Sequence, residues 1–533
     1  MKKALHYLLL ITLIAVALVQ CAKKGTPTGG PIDETPPAIV RASPPNFTTN
    51  FSGQEIEIQF NEYVKLKELQ KQLVISPPLK TRPLITPQGS ASKKINITIT
   101  DTLKENTTYV FDFGQSIVDN NEENPYPFFK YVFSTGPVID SLTLKGEIID
   151  AIKFEPEEFV NVLLYEVNES YTDSIIYNGQ PNYVLNTLDS LTTFTMENLK
   201  EGTYKMVALK EDNRNLSFNP GRDKIGFVSG FVKVPSDTVY TIKMYDQELD
   251  SSIKKITQEA QSKLFIGYTG DLSTVEIQPN PENLFEATRL TSFEDKDTLQ
   301  YWFRPALEQD SLLLNTRVAD FEKEFKVRIK ELKRDSLSLS KKGELSLRNP
   351  AAISATTPIN TVNTDKISLI DKDSLNMEFT VVLDSLKNLA TFKFPRDEDQ
   401  RYTLQLLPGA ITDFYGSQNL DTLALKYSTR SAYDYGNIFV TLVGSSTTPL
   451  LLQVVKKDLS LVAEQSVTEA DEYEFNFLDP GDYYLRLVYD RNDNGRYDGG
   501  NFLQDIQPER VVYYPDLINL LKNFDRYYTL RVD

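Results

Sequence analysis

The chain has 533 residues, with 57 basic side chains against 74 acidic ones, a single histidine (His6) and a single cysteine (Cys21). One cysteine rules out an intramolecular disulfide, and beyond His6 there is no residue to build a Ser-His-Asp or Cys-His nucleophile or a zinc site with His ligands. A formal charge of −17 argues against nucleic acid as a partner, since phosphate binding needs clustered Lys and Arg, and the length predicts several domains.

Met1-Lys2-Lys3 is a short positive segment, and an apolar run follows from Tyr7 to Val19. A spanning helix needs about 20 apolar residues, so residues 1–20 read as the charged and apolar regions of a secretory signal peptide. The run ends in Leu18-Val19-Gln20-Cys21, which resembles the lipobox of bacterial lipoproteins. That resemblance implies cleavage before Cys21 and acylation of its thiol and new amine, although Gln20 stands where a small residue is usual. Several acyl chains, at about 0.8 kcal/mol per buried methylene, would hold the protein durably. Cleavage would remove Lys2, Lys3 and His6, leaving 55 basic and 74 acidic residues, a charge of −19 and no histidine. Residues 21–35, with Gly25-Thr26-Pro27-Thr28-Gly29-Gly30-Pro31, read as a flexible tether. Lys23 and Lys24 resemble neither an inner-membrane retention signal nor the acidic surface-export tags of Bacteroidota lipoproteins. This points to the outer membrane and leaves its periplasmic and cell-surface faces both open.

From residue 36 onward, period-2 alternation dominates, as in Glu55-Ile56-Glu57-Ile58-Gln59-Phe60, Lys94-Ile95-Asn96-Ile97-Thr98-Ile99 and Tyr483-Tyr484-Leu485-Arg486-Leu487-Val488. Such strands, broken by Gly, Pro, Asn and Asp turns, predict an all-β chain of tandem β-sandwich domains. Helix candidates are short: Lys65–Leu73 and Pro515–Asn523. The chain also repeats itself. Ile117, Asp119, Phe133, Ser134 and Thr135 recur 294 residues later as Ile411, Asp413, Tyr427, Ser428 and Thr429, with Tyr109 and Tyr402 just before. Leu199, Gly202, Tyr204, Asn213 and Asn215 recur 279 residues later as Leu478, Gly481, Tyr483, Asn492 and Asn494. The order is A-B-C-A′-B′. Its predicted bounds are 36–136 (A), 137–249 (B), 250–345 (C, a central β domain), 346–432 (A′) and 433–533 (B′). The polar run Arg334–Arg348 is either a strand edge or a linker.

The A unit opens with Thr35-Pro36-Pro37 and Pro44-Pro45-Asn46 and continues through Ile58-Gln59-Phe60-Asn61-Glu62 and Leu103-Lys104-Glu105-Asn106-Thr107-Thr108-Tyr109 to Phe133-Ser134-Thr135-Gly136. It resembles the bacterial Ig-like domains of S-layer and envelope proteins. In B, Phe194-Thr195-Met196-Glu197-Asn198-Leu199-Lys200-Glu201-Gly202-Thr203-Tyr204 forms a hairpin pattern that Phe477-Leu478-Asp479-Pro480-Gly481-Asp482-Tyr483 repeats. These units resemble transthyretin-like, carboxypeptidase-regulatory β-sandwiches. The whole layout is similar to Ig-like-domain lipoproteins of Bacteroidota. Neither family implies a reaction; both imply binding, spacing or bracing.

One loop suggests a metal. Asp490-Arg491-Asn492-Asp493-Asn494-Gly495-Arg496-Tyr497-Asp498 places oxygen side chains at alternate positions and Gly at the sixth, as an EF-hand-like loop begins. Asp490, Asn492, Asn494 and Asp498 are thus candidate calcium ligands, although Asn501 occupies the position of the closing Glu. A plain Asn/Asp/Gly turn explains the same residues. The chain requires no cofactor, and calcium is the one candidate. Asp-Ser/Thr-Leu occurs nine times, at Asp101, Asp140, Asp189, Asp297, Asp310, Asp335, Asp373, Asp384 and Asp421. It resembles the O-glycosylation motif of exported Bacteroidota proteins, and also suits a turn leading into a strand. Tyr126-Pro127-Phe128-Phe129-Lys130-Tyr131 and Tyr301-Trp302-Phe303 are either groove linings or core, and core is the simpler reading of adjacent strand aromatics.

The expectation from sequence is a non-catalytic lipoprotein that serves as a scaffold or accessory subunit for an integral outer-membrane protein, engaging it through strand edges and loops. It expects no nucleic acid and no small-molecule substrate. A surface glycan-binding lipoprotein is the alternative, and an enzyme built on two carboxylates comes third.

Overall fold

A computed structural model describes residues 33–188, 192–467 and 469–532. Cys21, the tether up to residue 32 and the Asp189 copy of the Asp-Ser-Leu motif lie outside the described residues. The chain forms two compact bodies. The first holds residues 33–143 with 181–188 and 196–201, and the second holds the other described residues.

In the first body, Ile39–Ser43, Glu55–Leu66, Ser92–Thr98 and Leu84–Thr86 make one sheet, and Val74–Ser76, Thr108–Asp112 and Lys130–Ser134 make the other. The alternation read from the sequence places Ile56, Ile58, Phe60, Ile95 and Ile97 inward against Tyr109, Phe111, Tyr131 and Phe133. The predicted helix at Lys65–Leu73 is present but shorter: the strand Glu55–Leu66 takes its first two residues, and Leu69–Gln72 is helical.

The polar side chains among the repeated A residues are hydrogen-bond fixtures. Tyr109 Oη accepts the Lys104 amide at 2.8 Å, and Tyr402 Oη accepts the Asp397 amide at 2.8 Å. Thr135 Oγ1 donates to Lys104 O at 2.7 Å, as Thr429 Oγ1 does to Asp397 O at 2.6 Å. Asp119 accepts four backbone amides, from Asn121, Glu122, Glu123 and Asn124. Asp413 accepts the Tyr415 and Ser417 amides and the Thr357 hydroxyl. Burial pushes the Asp119 carboxyl upward, but its four amides outweigh that and hold it below the usual carboxylate value. A depressed carboxylate contributes stability above its unfolded pKa of about 3.9, and that stability is lost as pH falls through the folded value. Asp119→Asn is therefore expected to show a shallower fall in melting temperature below about pH 4 than the parent chain. Equal slopes in thermal scans from pH 7 to 3 would contradict this.

The second body contains the other sandwiches. C has two sheets, Ser252–Ala260, Lys263–Thr269, Thr298–Arg304 and Ala287–Ser292 against Glu276–Asn280, Ser311–Val318 and Phe321–Arg328. They enclose a core that includes Leu264, Ile266, Tyr301, Phe303, Leu312 and Leu314, so C is a sandwich in its own right. A′ pairs Leu339–Lys342, Ala351–Ala355, Leu389–Lys393 and Thr380–Asp384 opposite Ile367–Ile370, Arg401–Leu406 and Leu423–Ser428. Its first strand, Leu339–Lys342, bonds to Ala351–Ala355. The Arg334–Arg348 run thus holds a four-residue edge strand between irregular segments, and this strand carries the A′ sheet back from 346 to Leu339. Buried Leu345 stands 294 residues after buried Phe51, marking the opening of A′ that sequence alone did not place.

In B, Val239–Asp246 runs parallel to Leu142–Asp150 and also pairs with Lys224–Phe227, which continues through Gly202–Lys210 to Asn161–Glu166. In B′, Glu472–Leu478, Gly436–Gly444 and Asp525–Val532 form one sheet, and Leu461–Val467, Leu450–Val455, Gly481–Tyr489 and Val511–Tyr513 form the other. The helix expected at Pro515–Asn523 is instead the strand Ile518–Leu520, with Ile518 and Leu520 buried on one face beside Tyr483. Period 2 overrides the helical spacing of Leu517 and Leu521, both of which stay exposed.

Candidate functional site

The four candidate calcium ligands do come together, because one acidic side chain closes the loop on itself. Asp490 is buried; its Oδ1 accepts the Asn494 amide at 3.0 Å and its Oδ2 the Gly495 amide at 2.7 Å. The equivalent loop of B does the same with Glu211, which accepts the Asn215 and Leu216 amides at 3.0 and 2.7 Å. Gly495 has φ of 76°, where its counterpart Leu216 adopts 57°, so glycine relieves in B′ a strain that B tolerates. The recurring acid-x-Asn-x-Asn pattern thus encodes a turn with two amides held by its first residue.

Asp498 faces the same loop. Its Oδ2 accepts Asn492 Nδ2 at 2.6 Å and Asn494 Nδ2 at 2.8 Å, and Arg496 Nε stands 3.3 Å from its Oδ1. The buried Glu509 carboxylate spans the loop base, accepting the Arg491 amide at 2.7 Å and the Asp498 amide at 3.0 Å. Burial raises the Glu509 pKa despite those two amides. A calcium ion would have to take Asp490 from its amides, or bind on the outer side through Asn492, Asn494 and Asp498. Among the described residues, no group of three or more His, Cys, Asp or Glu side chains is arranged to hold a metal ion.

What the loop visibly does is join the two B units. Gly499 lies so close to B that a Cβ would meet Asp246 O at 2.6 Å, and one on Gly500 would meet the Tyr245 ring at 2.7 Å. Just beyond, Phe502 is buried edge-on against Phe227 at 5.3 Å, and its amide donates to Gln247 Oε1 at 3.0 Å. Gln507 Nε2 donates to Phe227 O at 3.0 Å and to Ser229 Oγ at 3.1 Å. Lys205 is buried at this joint with its ammonium over the rings of Phe227 (5.0 Å), Phe502 (5.5 Å) and Phe231 (5.9 Å). It donates to Gly230 O at 3.1 Å and pairs with Asp505 at 3.5 Å. Three ring faces and a carboxylate compensate for its lost hydration.

A second contact lies on the neighbouring strand of B′. The buried Arg486 donates from Nε to Gln453 Oε1 at 2.7 Å and from a terminal nitrogen to Ile152 O at 3.3 Å. Phe154 stacks on Tyr484 at 4.9 Å. Within B, Lys224 binds Asp150 at 2.6 Å and Glu157 at 3.0 Å. Asp150 and Glu157 are thus held in one ion-pair cluster with Lys224.

C and A′ meet in a comparable joint. Tyr301 and Phe303 face the core of C, whereas Trp302 points the other way, where it is buried edge-on to Tyr415 of A′ at 6.5 Å. Trp302 Nε1 donates to Thr291 Oγ1 at 2.9 Å, and Tyr415 Oη to Ser262 O at 2.9 Å. Arg304 donates to Phe414 O and Arg289 to Ile359 O, both at 3.0 Å. The Tyr301-Trp302-Phe303 cluster is therefore fully committed inside the protein. Of the aromatic residues in the Tyr126–Tyr131 cluster, Phe128 is exposed, Tyr126 is half-buried, and Phe129 and Tyr131 are buried.

The Ser or Thr of the Asp-Ser/Thr-Leu motif is exposed at Thr102, Ser141, Ser336, Ser374, Ser385 and Thr422 and half-buried at Thr298 and Ser311. Asp101 shows the turn role directly, accepting the Lys80, Thr81 and Thr102 amides.

Fold and site together define a tandem Ig-like β-sandwich protein whose architecture fits a non-enzymatic role. Residues 33–135 match the model of the bacterial Ig-like domain family. No curated protein sequence matches the chain. Domains 1-6 of the surface layer protein SbsC align at 11% identity over 92% of this chain and 68% of that one, with a TM-score of 0.14. The TIE protein of Bacillus anthracis aligns at 11% identity over 95% and 76%, also at 0.14. The I9-I11 tandem of titin aligns at 10% identity over 53% and 100%, at 0.12. Scores this low carry no argument about domain arrangement or function.

Proposed function

We propose that the chain is a non-catalytic lipoprotein of the Bacteroidota envelope type, acylated at Cys21 and held at the outer membrane. There it acts as a scaffold or accessory subunit for an integral outer-membrane protein. The observation that supports this most is how the protein uses its polar and aromatic side chains. Lys205, Arg486, Lys224 and Trp302 are spent on joints and ion pairs within the second body, and Glu509 on the base of its own loop. Strand edges and loops stay available to a partner, and they suit β-augmentation or a loop-built surface. Burial of the sole tryptophan weakens the glycan-platform alternative.

The test is a fractionation and a capture. Parent chain is expected in detergent-solubilised outer membranes with a stoichiometric β-barrel protein, identified by mass spectrometry, and Cys21→Ser is expected to move to the soluble fraction. Anchoring without any co-purifying membrane protein would sink the accessory role while leaving lipidation intact. A Cys21→Ser protein that stayed in the membrane would sink lipidation.

A further inference from the structure

We propose that the strand Asp525–Val532 is an edge on which a second copy of this chain docks, antiparallel and about a two-fold axis at Tyr528. The strand ends its three-stranded sheet: it pairs in parallel with Gly436–Gly444, and among the described residues no other strand bonds to its far side. Its register is unbroken from Asn437↔Asp525 to Gly444↔Val532. Proteins normally blunt such edges with proline, bulges, dense charge or short length. The other long edges here show these devices. Ser252–Ala260 carries two register irregularities, and Phe321–Arg328 carries Glu322, Lys323, Glu324, Lys326 and Arg328. By contrast, Asp525–Val532 has eight residues, no proline, and an uncharged centre of Tyr527-Tyr528-Thr529-Leu530.

The pattern of the strand selects the occupant. Leu530 and Val532 face the core, while Asp525, Tyr527, Thr529 and Arg531 form the exposed row. Tyr527 is 68% exposed and stacks on Phe439 of the neighbouring strand at 4.9 Å and 13°. Opposed residues of an antiparallel pair share a face, so a symmetric pairing that keeps this row outward must have its axis on a residue. With the axis at Tyr528, Asp525 of each copy faces Arg531 of the other, and Tyr527 faces Thr529. An axis at Tyr527 or Thr529 leaves the two charges without each other. Opposite charges directly across a ladder stabilise it and like charges destabilise it. The strand is thus complementary to itself in one register, and the contact is isologous. It would join two three-stranded sheets into one of six strands. An edge of this length is a small interface, so a micromolar dimer is expected.

Sedimentation velocity of the full chain in detergent, over a concentration series, tests this. The parent chain is expected to dimerise. Asp525→Arg alone and Arg531→Asp alone each turn two attractive pairs into two repulsive ones, weakening the dimer by about tenfold or more. Mixed together, these two variants are expected to form a heterodimer as tight as the parent, since every pair is again opposite. A parent chain that stays monomeric, a dimer indifferent to either substitution, or a mixture that fails to associate would each overturn the proposal. If either single variant loses the parent's melting curve, the double swap Asp525→Arg with Arg531→Asp replaces it. Dimerisation of that swap at parental strength supports the register, and its failure while folded overturns it.

Discussion

Phe502→Ala is expected to cost about 3–5 kcal/mol and to uncouple B′ from B. Phe502 leaves its own sandwich to fill a site on the other: it is buried against Phe227, under the ammonium of Lys205, with its amide fixed by Gln247. Truncation removes a ring's worth of burial and also opens the aromatic enclosure that compensates the buried Lys205 charge. Water reaching that ammonium relieves part of the cost, but only by separating the two units. Leu503→Ala, one residue away and 52% exposed, is the control, expected within about 0.5 kcal/mol of parent. Denaturant unfolding followed by circular dichroism reads both. Equal midpoints for the two variants would show that the joint does not bear on stability.

Much of this fold was legible because sandwiches announce themselves through period 2 and through repeats. The spacing of Asp119 with Asp413, and of Thr135 with Thr429, marked positions that prove to be side-chain hydrogen-bond fixtures, and that of Ile117 with Ile411 marked core positions. Turn chemistry and metal chemistry draw on the same residues, so the Asp490 loop read two ways; its agreement with Glu211 shows that both copies share the turn chemistry. The joints were not legible. Docking depends on which faces meet, and Lys205, Phe227 and Phe502 carry no local signature of one another. One signal was present. The repeat offset is 279 at Asn215 and Asn494 but 288 at Tyr240-Thr241-Ile242-Lys243 and Tyr528-Thr529-Leu530-Arg531. B′ therefore contains nine extra residues between these points, and this is the stretch that carries Gly499, Gly500 and Phe502 onto B. An insertion confined to one copy of a repeat is a sequence-level mark of a contact that the other copy does not make.

The C–A′ joint supplies its own reporter. Trp302 is the one tryptophan of the chain, and it faces out of C's core toward Tyr415 of A′, so its emission reports on this contact. Tyr415→Ala is expected to shift that emission to the red as solvent reaches the indole, with a loss of about 2–4 kcal/mol. The ring of Tyr415 lies edge-on to Trp302 at 6.5 Å with Arg334 over it at 5.2 Å, and its hydroxyl reaches back to Ser262 O. Tyr415→Phe keeps the ring and removes only that hydrogen bond, so it is expected to cost about 1 kcal/mol with no shift in emission. The two variants separate packing from hydrogen bonding at one position. If Tyr415→Ala left the emission unchanged, Trp302 would be shielded by C alone, and A′ would have no part in covering it. A shift in both variants would place the hydroxyl, rather than the ring, in control of the joint.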